Sequence, residues 1–332
     1  MGDTLVSIPA LKLIKSENEK SSITLLSNEP VDGGLKAAPM YDILKNSGII
    51  DFHIEYSNSK SKISIIKKIR KLKPDLVYYL MPSRSIYQSF RDYIFFILCG
   101  IYRVKGIFYN IYSINKNRLN NNKSEANRLI NSIGFNNIQL SKELFSLNLN
   151  MKDRINSKLL INKYNIGSNF IAISIGTKFD VNDWGQPNWL CLIELLSDIA
   201  YKYNLVTIGS NIEYDRSQEL LEKWGSKNGA NLCGLTSPRE SASILELASL
   251  FIGHDSGPLH LASSVGIEAI GIFSSRNNPG IWFPYGNENN VLYTNIECQG
   301  CRLDECSKLN KICIKSIKPI DVAIMIKKRL KI

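Results

Sequence analysis

One segment of this sequence, residues 251–262, places chargeable and small residues directly after an apolar run. It reads Phe-Ile-Gly-His-Asp-Ser-Gly-Pro-Leu-His-Leu-Ala, so a strand is predicted to end at Gly253 and a helix to follow. Asp255 and Ser256 can cap this helix, and Gly257 lets the backbone approach a ligand closely. Free backbone N–H groups at such a helix start favour a phosphate group. An ordinary capped strand-to-helix turn has the same pattern, and both interpretations remain open at this point.

A second segment, Ser174-Ile-Gly-Thr-Lys178, also follows a predicted strand. Thr177 and Lys178 would then lie at the carboxyl edge of the same sheet, where side chains face the crevice in which ligands bind. A lysine after a strand is, however, more often a solvated surface residue. The nearby Trp184 and Trp189 are predicted to be packing anchors rather than ring-stacking platforms, because large aromatic side chains contribute most to cores.

Both segments belong to a chain in which strand-like and helix-like stretches alternate, which predicts βαβ units with a largely parallel sheet. The predicted strands are 23–26, 49–56, 76–80, 104–109, 170–175, 205–209, 250–253 and 268–273. The main predicted helices are an amphipathic segment 5–15, and 188–203, 215–227, 238–247 and 258–265. Residues 110–167 are polar and lack a strong strand, so we place the connection between two α/β domains, 1–165 and 166–332, toward the end of this stretch. The cleft between two such halves is the usual place for a ligand.

Length and composition fit two ordinary domains, with 332 residues, 44% hydrophobic and 21% charged. The formal net charge of +11 suits an anionic partner, but base composition alone can enrich a chain in Lys and Asn. No recognised DNA- or RNA-binding module is present, so no nucleic-acid partner is expected. No apolar run approaches the roughly 20 residues of a membrane helix, and the first residues lack the features of a secretory signal. We therefore expect a cytoplasmic protein.

Four cysteines near the carboxyl end form a C-x2-C-x4-C-x6-C cluster, namely Cys298, Cys301, Cys306 and Cys313. Four thiolates can close a tetrahedral structural zinc site, and the first spacing is typical of half of such a site. The second half lacks the usual close pair, and reduced thiols are the alternative that we favour. A catalytic metal is not expected, because no histidine accompanies the cluster.

Residues 61–73 interleave isoleucines with six lysines and arginines. A basic amphipathic helix of this kind can lie on an anionic membrane surface. The alternative that we favour from the sequence is a helix that covers a sheet and exposes its charged face to water.

Five segments resemble motifs of one known family. They are GDTLVSIPALKLIK (2–15), GTKFDVNDWGQPNW (176–189), NLCGLTSPRESASILELASLFIG (231–253), HDSGPLHLASSVG (254–266) and IFSSRNNPGIWFPYG (272–286). With them the sequence resembles glycosyltransferase family 9, the lipopolysaccharide heptosyltransferases. The resemblance implies a GT-B architecture of two Rossmann-like domains facing a central cleft, with the acceptor on the first and a nucleotide-sugar donor on the second. It also implies inversion at the anomeric carbon without a catalytic metal.

The same resemblance implies roles for particular residues. Lys178, Thr177 and the helix start at Ser256 and Gly257 would neutralise the departing diphosphate, because fixed positive partners stabilise charge that develops in the transition state. Asp3, in the Gly-Asp pair of the amino-terminal motif, is the candidate base that removes the proton of the acceptor hydroxyl.

Other positions follow the family less closely. The resemblance places Glu213 near the ribose of the nucleotide, although an exposed loop glutamate is an equally good interpretation. Asp255 would hold sugar hydroxyls, and His260 would lie near the donor phosphate or sugar. Asn182 departs from the pattern, since many members have a lysine there; a neutral amide cannot replace a cation at a diphosphate.

The expected function is transfer of a sugar, a heptose from ADP-heptose, onto a lipopolysaccharide or related surface glycan. The alternatives are a family member that uses another nucleotide sugar, a GT-B-like epimerase, and a non-catalytic paralogue that binds nucleotides or glycans. The expected partners are the nucleotide sugar and a glycolipid acceptor. We expect a monomer, in the cytoplasm or in peripheral contact with the inner face of the cytoplasmic membrane.

The Gly-Asp motif begins at Gly2, so no sequence precedes it to form the central first strand of the amino-terminal domain. A missing central strand would leave buried backbone groups unpaired. We therefore predict that Met1 is an internal methionine and that the working protein starts upstream with a short strand.

Overall fold

The structure, a computed structural model, describes residues 1–17, 20–28, 38–56, 61–82, 84–109, 124–225, 229–307 and 309–332. Its described strands all pair in parallel. The first half contains α1 (Gly2–Glu17), β1 (Thr24–Asn28), α2 (Met40–Leu44), β2 (Phe52–Tyr56), α3 (Lys62–Leu72), β3 (Val77–Tyr78), α4 (Ile86–Leu98), β4 (Val104–Lys105), α5 (Glu125–Ser132), α6 (Lys142–Phe145) and α7 (Met151–Lys163). The second half contains β5 (Phe170–Ser174), α8 (Gln186–Leu195), β6 (Asn204–Thr207), α9 (Tyr214–Trp224), β7 (Gly229–Asn231), α10 (Pro238–Leu245), β8 (Leu250–His254), α11 (Gly257–Ser264), β9 (Ala269–Ile272), β10 (Val291–Leu292), α12 (Ile312–Lys315) and α13 (Pro319–Leu330).

The second half is built on a six-stranded sheet with the order β7-β6-β5-β8-β9-β10. This is the strand order of a dinucleotide-binding fold, in which the chain starts in the middle and reverses direction between its first and fourth strands. Here the reversal lies between β5 and β8, where Ile173 pairs with Ile252 and Ser174 with Gly253. The first half pairs β1 with β2 and β3 with β4. The predicted α/β architecture is thus confirmed.

All eight predicted strands are present, but the prediction missed β7 and β10. β7 is Gly-Ala-Asn, with no β-branched or aromatic residue to indicate a strand, and β10 has only two residues. The predicted strand 104–109 is also too long, because Gly106 adopts a φ of 93° that ends the extended backbone. The predicted helix 188–203 ends at Leu195 and is followed by a single 3-10 turn, Ser197–Ile199. The predicted helix 215–227 has its last residues outside the described part of the chain.

α1 packs against helices of both halves, in contact with α5, α6 and α11. Leu5, Ile8 and Leu11 pack into the largest core, and another side of the helix, including Val6 and Ile14, packs into a separate cluster with α5. The prediction of an amphipathic helix is therefore wrong, because neighbouring helices cover more than one face of α1. The upstream strand predicted before this helix stays a prediction.

The sheet of the second half has a core on each face. Phe170 and Ala172 of β5 face the core that α1, α10 and α11 share, whereas Ile171 and Ile173 face the core formed with α8, α9 and α13. Trp184 and Trp189 are fully buried in the latter, with ring centroids 5.2 Å apart. The prediction that both tryptophans are packing anchors is confirmed.

A buried ion pair joins the two halves. The guanidinium of Arg239, on α10, has a side chain only 3% exposed and lies 2.5 Å from a carboxylate oxygen of Asp153 on α7. It also donates to the carbonyl oxygens of Ile43 and Asn148, at 2.9 and 3.1 Å. Burial raises the pKa of Asp153, but hydrogen bonds from Arg239 and from the Asn150 backbone N–H outweigh it and hold this pKa below its ordinary value. One side chain thus holds three segments of the first half against the second.

Arg239→Met should destabilise the protein by about 3 kcal/mol, because it leaves the Asp153 carboxylate buried without its partner. Urea unfolding at neutral pH measures this loss. Since the folded pKa of Asp153 is lowered, the stability that the pair contributes is present above the ordinary value of 3.8 and is lost as the pH falls below it. The difference between the two proteins should therefore shrink in acid.

Arg154→Met is the matched control, because Arg154 pairs with Glu246 close to the buried pair but is 49% exposed. Exposed pairs contribute about 1 kcal/mol or less. If both variants lose the same free energy of unfolding, the burial of Arg239 does not increase what its ion pair contributes to stability.

Candidate active site

The two segments that the sequence singles out follow the two strands at the reversal point of the sheet. Gly176, Thr177 and Lys178 come after β5, and the turn from Asp255 to Gly257 comes after β8. Because β5 and β8 are neighbours and parallel, both segments lie at one edge, beside the crevice where such sheets bind ligands. Lys178 is exposed there, with its ammonium 5.0 Å from the ring centroid of Phe179.

Glu213 lies over the carboxyl ends of β5 and β6. A Cβ atom at Gly176 would be 2.8 Å from the carboxyl carbon of Glu213, and one at Gly209 would be 3.3 Å from a carboxylate oxygen. The hydroxyl of Ser210 donates a short hydrogen bond to the same carboxylate. Glu213 is therefore half-buried at the site edge, in a place that the two glycines leave open, rather than on an exposed loop.

The start of α1 reaches this edge from the first half. A Cβ atom at Gly257 would be 2.6 Å from the Met1 Cβ, and one at Gly2 would be 3.3 Å from a ring carbon of His260. Asp3, in the first turn of α1, is exposed, and its charge acts on Asp255 across the contact. The structure thus brings Asp3 close to Asp255. The expectation that Gly257 leaves room for a ligand is wrong in one respect, because the side chain of Met1 fills the space beside Gly257.

Asp255 has a strongly shifted protonation equilibrium. Burial raises the pKa of its carboxyl to about 7; a hydrogen bond from Asn277 and the charge of Arg276 act in the opposite direction, and the charge of Asp3 raises it again. Near neutral pH this carboxyl can therefore both donate and accept hydrogen bonds, which suits a sugar hydroxyl.

Ser256 occupies the N-cap position of α11 but makes no capping hydrogen bond, and its buried hydroxyl has no partner among the described residues. The predicted side-chain cap is wrong in this respect. Pro258 follows in the first turn and has no N–H, which removes one of the donors that a cap would accept from. Because Asp255 and Ser256 do not cap α11, its first turn keeps free N–H groups for a ligand.

His260 is 6% exposed and lies between Gly2 and Trp282, with its ring 6.3 Å from the indole. Burial, together with the charge of the nearby N-terminal ammonium, lowers its pKa to about 4. His260 is therefore neutral at pH 7, and it holds the start of α1 against α11. His254 is also buried, and its Nε2 accepts a hydrogen bond from the Trp184 backbone N–H at 3.1 Å.

Asn182 is buried, and its side chain connects two strand ends. Its Oδ1 accepts a 2.5 Å hydrogen bond from the Ser274 hydroxyl, and its Nδ2 lies 3.5 Å from the Asp255 carbonyl oxygen. The amide of Asn182 thus supports the backbone of the site.

Arg276 is a site residue that the sequence analysis missed. Its guanidinium lies 4.0 Å from the ring centroid of Phe179, the ring that also carries Lys178, and its charge acts on Asp255. It is held by the Leu303 carbonyl and the Asp304 carboxylate, both at 2.7 Å. The available signal was position, because Arg276 follows β9 at the same edge of the sheet. A second cation therefore lies beside Lys178.

In the cysteine cluster, Cys313 is buried, and burial raises the pKa of its thiol, with Cys298 and Cys306 nearby. Across the described ranges, no group of three or more His, Cys, Asp or Glu side chains has a geometry that could hold a metal ion. Nor does any helix in those ranges combine the length and the apolarity that crossing a membrane requires.

The raised pKa of Asp255 predicts how stability depends on pH. The folded protein should lose stability as the pH rises from the ordinary value of 3.8 to about 7, because ionisation costs more in the folded chain than in the unfolded one. Asp255→Asn should therefore stabilise the protein by about 4 kcal/mol at pH 8 and by little at pH 4, as measured by unfolding at both values.

Asp198→Asn is the control, since Asp198 is 61% exposed and lies on the surface beside Lys327. The raised pKa of Asp255 would be contradicted if Asp198→Asn gained as much free energy of unfolding at pH 8, or if Asp255→Asn gained none.

Comparison with known proteins gives the family of this chain. The family model of glycosyltransferase family 9 (heptosyltransferase) matches residues 133–312, more than half of the chain. Lipooligosaccharide heptosyltransferase 2 of Campylobacter jejuni (serotype O:2) is 22% identical, over 100% of this chain and 96% of its own length.

Solved structures agree in fold. The family 9 glycosyl transferase of Veillonella parvula superposes with a TM-score of 0.74 at 16% identity, covering 100% of this chain and 94% of its own. The E. coli ADP-heptose lipopolysaccharide heptosyltransferase II gives 0.69 at 15% identity, covering 98% and 95%. The chain therefore belongs to glycosyltransferase family 9, the heptosyltransferases, and is a glycosyltransferase of GT-B fold.

Proposed function

We propose that this protein transfers a heptose from ADP-heptose to a lipopolysaccharide or lipooligosaccharide acceptor, with inversion at the anomeric carbon. The observation that supports this most is the meeting of Asp3, from the first half, with the Asp255–Gly257 turn and Lys178 of the second. The relatives' activities point the same way: those in Campylobacter jejuni are lipooligosaccharide heptosyltransferases, and E. coli heptosyltransferase WaaC was solved with ADP-2-deoxy-2-fluoro heptose.

In this proposal the donor diphosphate lies at the start of α11. The free N–H groups of its first turn and the helix dipole bind the phosphate oxygens, and Lys178 adds a full positive charge. Thr177 provides a hydroxyl at the same edge. Arg276 supplies the second cation, which offsets the neutral side chain at Asn182. These groups are in place before the reaction, so they stabilise the leaving diphosphate without reorganisation.

The transfer is a single displacement. The acceptor hydroxyl oxygen attacks the anomeric carbon, the bond from that carbon to the phosphate oxygen breaks, and the electron pair leaves with the diphosphate. Asp3 takes the hydroxyl proton as the new bond forms. Attack from the face opposite the leaving group inverts the configuration of the sugar.

The remaining residues bind the donor. Glu213, held over Gly176 and Gly209, accepts hydrogen bonds from the ribose hydroxyls, the task of an acid in this position in dinucleotide-binding folds. Asp255 binds the sugar hydroxyls. His260 is neutral and holds the start of α1 against that of α11, beside which the donor sugar and phosphate lie.

The direct test incubates the protein with ADP-heptose and a lipooligosaccharide acceptor that lacks the added residue, and follows ADP release and the mass of the glycan. Lys178→Ala should lower turnover on the order of 100-fold, about 3 kcal/mol of barrier, because one fixed charge at the leaving group is lost. The folded state should be nearly unaffected, since Lys178 is exposed.

The matched control is Lys202→Ala. The Lys202 ammonium also lies over the ring of the next residue, Tyr203, 5.4 Å from its centroid. Lys202 precedes β6, however, so it lies at the amino edge of the sheet and not at the carboxyl edge that carries the site. Near-normal turnover in Lys178→Ala, or an equal loss in the control, would remove Lys178 from the mechanism. If all the ADP-heptose is recovered unchanged after incubation with the wild-type enzyme and the acceptor, the proposed donor is refuted.

The transfer should also continue in EDTA. Lys178, Arg276 and the helix start perform the charge neutralisation for which other transferases use a divalent ion. A rate that falls to zero in EDTA and returns with magnesium or manganese would contradict this assignment. Slow unfolding in EDTA would instead indicate a structural zinc at the four cysteines.

A further inference from the structure

The helix α4 has a row of large apolar side chains on its outer face. Tyr87, Phe90, Ile94 and Leu98 follow each other at intervals of three and four residues, so they lie on one side of the helix. All four are at least half exposed, and Tyr87 is 79% exposed. We call these four residues the outer row.

The outer row is separate from the face that α4 contributes to the fold. Phe96 is buried in the core of the first half, and Tyr93 packs beside it. Core packing therefore explains the inner face of α4. In the outer row, Phe90 meets Phe108 with ring centroids 6.1 Å apart, and core packing does not explain the exposure of the other three side chains. A contiguous exposed apolar row of this size on a protein surface indicates a binding partner.

The neighbouring helix α3 adds positive charge to this surface. The Arg70 guanidinium donates to the Leu98 carbonyl oxygen at 2.9 Å, which fixes the end of α3 beside the end of α4. Lys67, Lys68 and Lys71 are exposed and line one shallow groove. Within the part of the chain that the structure describes, none of these three lysines lies within ion-pair distance of an acidic group.

Acidic groups are correspondingly scarce on the two helices. α3 contains no acidic residue, and α4 contains one, Asp92. The Asp92 carboxylate accepts hydrogen bonds from the Tyr79 hydroxyl and the Arg84 guanidinium. The two neighbouring helices thus expose apolar side chains on α4 and positive side chains on α3. A second copy of the chain would bring like charges together, whereas anionic headgroups complement the lysines and acyl chains accept the outer row.

We propose that α3 and α4 bind an anionic bilayer surface, with the outer row in the boundary between headgroups and acyl chains and Lys67, Lys68 and Lys71 among the headgroup phosphates. The binding does not depend on the proposed transfer, because it needs neither donor nor acceptor.

The test is sedimentation of the full chain with vesicles of phosphatidylcholine alone or mixed with phosphatidylglycerol. Wild-type protein should sediment with the mixed vesicles and remain free with the neutral ones. Replacing Lys67, Lys68 and Lys71 by Gln should weaken binding about fivefold for each lysine. Tyr87→Ser with Ile94→Ser should weaken it at least about tenfold, and circular dichroism should show both variants folded.

Two control variants on α7 separate this surface from general charge or apolarity. One replaces the exposed Lys152, Lys158 and Lys163 by Gln, and the other combines Ile155→Ser with Leu159→Ser, whose side chains are 52% and 62% exposed. Both should bind as wild type does. Equal losses in the α7 and α3–α4 variants would overturn the proposal, as would no binding to either vesicle.

Sedimentation velocity without lipid tests the alternative that a second copy of the chain binds the outer row. We expect the wild type and the variant with Tyr87→Ser and Ile94→Ser to have the same oligomeric state. A wild-type dimer that this variant converts to a monomer would overturn the proposal and assign the outer row to a second copy.

Discussion

The site depends on one close contact, between the starts of α1 and α11. No side chain could stand at Gly257, because its Cβ would overlap Met1, and the space beside Gly2 is almost filled by His260. The contact brings Asp3 to the turn that carries Asp255, and these two carboxyls belong to different halves of the molecule. In the proposed mechanism, the base Asp3 comes from one half and the place for the diphosphate from the other. The proposed chemistry therefore rests on the packing of these two helix starts.

The rest of the interface keeps that contact in place. α1 is covered on several sides, so it cannot move without disturbing the two cores that it joins. Arg239 adds directional hydrogen bonds to this packing. Its buried guanidinium has a carboxylate and two carbonyl oxygens as partners, which satisfies a charge that would otherwise be costly to bury.

The sequence predicts the edge of the sheet better than it predicts what surrounds that edge. Thr177, Lys178 and Asp255 could be placed because each follows an apolar strand, and parallel strands end at a common edge. Glu213 could not be placed over Gly176 from the sequence alone, because that contact depends on how close neighbouring strands bring two loops. The sequence also failed to predict that the Ser256 hydroxyl has no hydrogen-bond partner among the described residues, or that several faces of α1 are covered. The reason is similar, because a local pattern does not show which tertiary neighbours are present. Arg276 follows the same strand-end rule as Lys178, but no motif drew attention to it.

Arg239 also has a mechanical consequence. GT-B enzymes hold two substrates between two bodies, and closing such a cleft requires one body to rotate against the other. A sliding movement at α10 would break the bonds to Asp153, Ile43 and Asn148 together, whereas a rotation centred on the guanidinium would keep them. A closure that keeps the hydrogen bonds of Arg239 would therefore turn about its guanidinium, and it would also have to preserve the packing of α1 against α11.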